Sequence, residues 1–147
     1  MARKRVTEGD ELNAYGQTGE EGGVGTLIQP EADREIDVAD LQREFRVYPS
    51  VLFAHNEAKA EAEKTFDLLK LRCEEAEAAA YIKIKSGPEK VTEKHVEAMI
   101  ATDKAIQELK REMLDAKRDL ETLKNDVESM RAKKDMLIQL GADARKE

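Results

Sequence analysis

A chain of 147 residues with 39% charged and 40% hydrophobic residues, a net charge of -7, no Trp and three each of Phe and Tyr suffices for one domain, but not for one built on a large aromatic core. Its apolar residues are mainly Ala, Leu, Val, Ile and Met, the set that lines seams between helices, so long helices held by partner helices are expected. The single Cys excludes an internal disulfide, and no run approaches the roughly 18 apolar residues of a membrane span.

Residues 1–35 hold six of the eight glycines and the acids Glu8, Asp10, Glu11, Glu20, Glu21, Glu31, Asp33 and Glu35, with few large apolar groups. Such a segment buries too little surface to offset an ordering entropy of about 1–2 kcal/mol per residue for the backbone alone. It is predicted to be a disordered acidic tail, with Arg3, Lys4 and Arg5 a solvated terminus, ahead of an all-helical domain over 36–147. The opening "MARKRVTEGDELNAYG" lacks the apolar core of a signal peptide, so a cytoplasmic chain is expected, without a membrane partner.

Order is predicted to begin at "IDVADLQREFRVYPS". Asp37 or Asp40 caps a short helix carrying Leu41 and Phe45 at i and i+4, Pro49 ends it, and Ser50 caps the next. From Val51 to about Ile84 there is no Gly or Pro, and Ala62, Phe66, Leu69, Cys73, Ala76 and Ala80 form one seam in steps of four and three. Leu68, Leu71, Ala78 and Ile82 form a second stripe, which implies more than one neighbour. After a Ser-Gly-Pro turn, Thr92 is placed to cap a short helix with Val96, Met99 and Ile100 facing inward, and Asp103 to cap the last helix.

That last helix has the longest regular pattern. Ile106, Leu109, Met113, Ala116, Leu120, Leu123, Val127, Met130 and Leu137 keep a 3.5-residue repeat, interrupted at Lys134, and Gly141 is placed to stop it. The expected fold is all-α: a long helical hairpin with coiled-coil heptads, in an oligomer assembled through Leu109, Met113, Leu120, Leu123, Val127, Met130 and Leu137. A lysine at a core position either selects register or oligomer state or snorkels to water.

Catalysis needs convergent groups of matched acidity. The sequence offers no Gly-rich phosphate loop, no metal-ligand spacing and no nucleophile context, and His55 and His95 lie on separate helices as surface or edge residues. No enzyme activity, catalytic residue, metal or cofactor is expected. Cys73 reads as a small apolar residue on a helix face.

The segment "YIKIKSGPEKVTEKH" is different, because its four Lys face only two Glu, whereas Leu41 to Ala80 carries six basic and eight acidic residues. Lysines neutralise phosphates without reading bases, and a tyrosine stacks on an unpaired base for about 1–3 kcal/mol. Tyr81, Lys83, Lys85, Lys90 and Lys94 are therefore the candidate contacts to single-stranded nucleic acid. The same lysines also suit the C-terminal end of a helix dipole and the solubility of a helical bend. Oligomerisation would multiply a weak contact by avidity.

The order "DLQREF", a long Ala- and Lys/Glu-rich helix, a "KSG" bend, "MIATDKAIQELK", and a long helix closing on "MRAKKDMLIQLG" resembles the UvsY-type recombination mediators of tailed phages over roughly Asp37 to Gly141. The resemblance implies a helical, ring-forming homo-oligomer in the host cytoplasm that binds single-stranded DNA. It also implies a role in recombination, replication and repair: helping a RecA-like recombinase displace the single-strand binding protein. The family's basic and aromatic patch ahead of a Ser-Gly bend corresponds here to Tyr81, Lys83, Lys85, Ser86 and Gly87, with alanines where an earlier basic residue is expected. A coiled-coil structural or assembly protein of a phage particle, without nucleic acid, is the rival reading, and a regulatory subunit of a replication enzyme a third.

Overall fold

The computed structural model describes residues 28–147, and most of the acidic tail, including Arg3, Lys4 and Arg5, lies outside the described residues. Four helices follow in order: α1 (Pro30–Arg34), α2 (Leu41–Lys85), α3 (Glu93–Ala101) and α4 (Lys104–Ala144), with a 3-10 turn at Val38–Asp40 ahead of α2. There is no strand among the described residues. α2 has 45 residues and α4 has 41, lengths of about 67 and 61 Å at the α-helical rise. They run antiparallel as one long hairpin, with α3 at its closed end and α1 near its open end.

The heptad spacing produces this arrangement. Ile106, Ala116, Leu120, Val127, Met130 and Leu137 are buried on α4, with Leu109, Met113 and Leu123 half-buried beside them. Opposite them on α2, Cys73 is buried, and Ala62, Phe66, Leu69, Ala76 and Ala80 are half-buried. The residues expected to join subunits thus line a seam within one chain. The hairpin accounts for them without a second copy. The second stripe has no neighbour among the described residues: Leu68 is 48% exposed, Leu71 50% and Ile82 66%.

Caps set the element boundaries. Asp37 accepts from the Ala39 N–H, Asp40 from the Arg43 N–H, and Asp103 from those of Ala105 and Ile106, each leaving fewer orphan donors at a helix start. Thr92 occupies the capping position of α3, but its side chain makes no capping bond. α2 ends where Ser86 Oγ and N–H both donate to the Ile82 carbonyl, and Pro88 disfavours a helical conformation at Gly87.

Several expectations are corrected. Pro49 does not end a helix: α2 runs through it, because Tyr48, Val51 and Leu52 around it pack on Met130 and Leu137. Pro49 itself is exposed, on the side where water can satisfy the carbonyl that its missing N–H leaves free. Gly141 does not stop α4, which continues to Ala144; instead the Phe45 ring packs against it, 3.1 Å from where a β-carbon would stand. Met99 is 43% exposed rather than inward.

The segment expected to be disordered up to Glu35 contains α1. No residue of α1 is buried, and polar contacts hold it. Asp33 Oδ2 lies 2.9 Å from His55 Nε2, and the Asp33 carbonyl accepts from Lys133 Nζ at 2.8 Å. His55, expected at a surface or edge, is 1% exposed beneath this contact, and its Nδ1 has no hydrogen-bond partner among the described residues. The lysine in the seam is Lys133, not Lys134, which is exposed. Tyr48 completes the join by donating its hydroxyl to the Met130 carbonyl over 2.8 Å.

Candidate nucleic-acid interface

The closed end of the hairpin holds all five candidate contact residues. α2 delivers Tyr81, Lys83 and Lys85 on its last turns, the bend carries Lys90, and the first turn of α3 carries Lys94. All five are exposed. Of the five, Lys83 lines an open groove of about 470 Å³ together with Ile84, Pro88, Val91, His95 and Met99, with Glu89 and Asp103 among its other walls; Tyr81, Lys85, Lys90 and Lys94 lie outside its lining. The fold-back of α3 onto α2 creates this groove. Val96, fully buried, anchors α3, and Lys110 of α4 ties to Glu77 of α2 at 2.6 Å nearby.

The five are not equivalent. Glu93, at the start of α3, reaches back across the bend to place Oε1 2.5 Å from Lys85 Nζ, and both its carboxylate oxygens lie 3.4 Å from the Tyr81 hydroxyl. Lys85 also donates to the Val91 carbonyl and sits 5.8 Å from the centroid of the Tyr81 ring. The hydrogen bond from Lys85 holds the Glu93 carboxyl below its ordinary range, and the same bond raises the Lys85 ammonium. Lys83, Lys90 and Lys94 have no ion pair among the described residues.

The sequence reading missed the role of Glu93, counting it only in the net charge of the bend. The signal was its position directly after Thr92: a first-turn acid of a helix that must fold back faces the end of the helix before it. Among the described residues no group of three or more His, Cys, Asp or Glu is arranged to hold a metal ion, and no helix is long and apolar enough to cross a membrane. Comparison with family profiles, with curated proteins and with solved structures returns no match.

Proposed function

We propose that this protein binds single-stranded DNA at the closed end of the hairpin. Acting without catalysis, it helps a RecA-like recombinase replace the single-strand binding protein on the strand. The observation that supports this reading most is that Lys83, Lys90 and Lys94 are exposed and without an ion pair among the described residues on the last turns of α2, the bend and the start of α3, with Lys83 on the wall of a groove with apolar sides. Such lysines interact with phosphates in any sequence, and the neighbouring Tyr81 ring offers a stacking face. The family resemblance of the sequence supplies the recombination role.

A homo-oligomer belongs to the same proposal. Leu68, Leu71, Ala78 and Ile82 lie on the face of α2 turned away from α4, at spacings that suit another helix. Pairing there would bring several lysine bends together and add avidity. Fluorescence anisotropy with a labelled single-stranded oligonucleotide at low salt tests the binding, with an equal-length duplex as competitor. Failure to bind, or preference for the duplex, overturns it. Stimulation of a RecA-like recombinase on strands coated with single-strand binding protein tests the mediator role.

A further inference from the structure

We propose that Glu93 is a built-in competitor of the DNA phosphate: its carboxylate occupies the place at Lys85 and Tyr81 that a phosphate would take, so the strand must displace it to engage those two side chains. This inference rests on the single-stranded DNA reading above. Its basis is the geometry: one carboxylate, carried on a different helix, meets both the ammonium and the phenol of the two side chains best suited to a nucleotide. Glu89 lies in the same bend and makes no ion pair among the described residues, so the pairing of Glu93 is specific to its position at the start of α3.

The consequence concerns ions. A phosphate that meets an unpaired lysine releases a condensed cation, and the affinity becomes salt-dependent. At Lys85 the phosphate gives up a cation but the freed Glu93 carboxylate takes one up, so the exchange adds nothing to the net release. In the wild-type protein the salt dependence of binding therefore reflects Lys83, Lys90 and Lys94 but not Lys85.

Glu93→Gln frees Lys85 while keeping side-chain length, and Glu89→Gln removes the same charge without freeing a lysine. With E93Q, binding is expected to tighten about threefold per engaged bend, and the slope of log affinity against log salt to steepen by about 0.7. E89Q is expected to leave the slope at the wild-type value. Equal slopes for the two variants, or no tightening with E93Q, overturn the proposal while wild-type binding leaves the DNA reading intact. Absence of binding by both wild type and E93Q overturns the DNA reading and this one with it. A second measurement needs no variant: the Glu93 carboxyl, followed by NMR in wild-type protein, should titrate at higher pH once a single-stranded oligonucleotide is bound. A titration unchanged at saturating oligonucleotide overturns displacement.

Discussion

Lys133 on α4 and Glu44 on α2 form an ion pair inside the open end of the hairpin, Nζ to Oε2 at 2.9 Å, with side chains only 8% and 14% exposed. Glu44 also accepts from the Asp37 N–H at 3.0 Å, and Lys133 from its side donates to Asp33, so one pair fixes α2, α4 and the segment ahead of them. Lys133→Met should cost about 3 kcal/mol, because it leaves a largely buried carboxylate without its cation. A fall in the midpoint of chemical denaturation measures this. A wild-type midpoint would show that the pair contributes nothing.

The same pair fixes the response to acid. Burial alone would raise the Glu44 carboxyl, but the Asp37 N–H and Lys133 outweigh it and hold the group below its ordinary value of 4.5. A depressed folded-state pKa gives stability that is present above the unfolded value and is lost as the pH falls through the folded one. Stability should therefore decline below about pH 4.5 through this group. In Lys133→Met burial is opposed mainly by the Asp37 N–H, so the acid-side decline from this group should become shallower, and it reverses to a gain on acidification if burial prevails. Thermal melts between pH 3 and 7, at roughly half-unit steps, distinguish the two profiles.

The α2–α4 seam and the outward stripe of α2 predict opposite outcomes. Leu120→Asp with Leu123→Asp places charges in the seam of the hairpin itself, so helicity and assembly should be lost together. Leu71→Glu with Ile82→Glu alters only exposed positions, and should leave circular dichroism unchanged while reducing the mass found by sedimentation equilibrium. A wild-type chain that is monomeric at micromolar concentration would remove the outward stripe as an assembly surface.

Gly141→Ala should raise stability by up to about 1 kcal/mol, the helix-propensity difference between the two residues. The added β-carbon would stand 3.1 Å from the Phe45 ring, which must yield by a few tenths of an ångström. Phe45 is 44% exposed and sits in the first turns of α2, so it has room to do so. Gly141→Leu cannot be accommodated in that way and should lower the melting temperature. A loss on Gly141→Ala as well would show that the ring is held rigidly.

The seam was legible in the sequence because burial of a helix face needs only apolar residues at the right intervals, and Ile106 to Leu137 provide them. Asp40 and Asp103 were legible as caps because their bonds are local. The misreadings arose where a distant partner decides. Steps of three and four admit either Lys133 or Lys134 between Met130 and Leu137, and the choice falls to Glu44 and Asp33, about 90 and 100 residues earlier in the chain. Pro49 reads as a helix end by local preference, but packing of Tyr48 and Leu52 overrides it. At the candidate site the sequence supplied the lysines and the tyrosine. It did not supply the fold-back of α3, so it ranked Lys85 with Lys83.

That ranking is open to measurement. Lys83→Ala removes a lysine with no ion pair among the described residues, so it should weaken single-stranded DNA binding for all sequences alike and flatten the salt dependence by about 0.7 in slope per engaged bend. Lys85→Ala removes a lysine already held by Glu93, so it should leave the slope unchanged, although the unpaired carboxylate weakens binding. Tyr81→Ala should cost about 1–3 kcal/mol of affinity for a stacked base, again without changing the slope. A purely structural bend would behave otherwise, with Tyr81→Ala lowering the melting temperature and Lys83→Ala leaving the titration untouched. Anisotropy at several salt concentrations, with melts alongside, distinguishes these cases. An unaltered titration for Lys83→Ala, Lys90→Ala and Lys94→Ala combined would exclude the closed end as the DNA site.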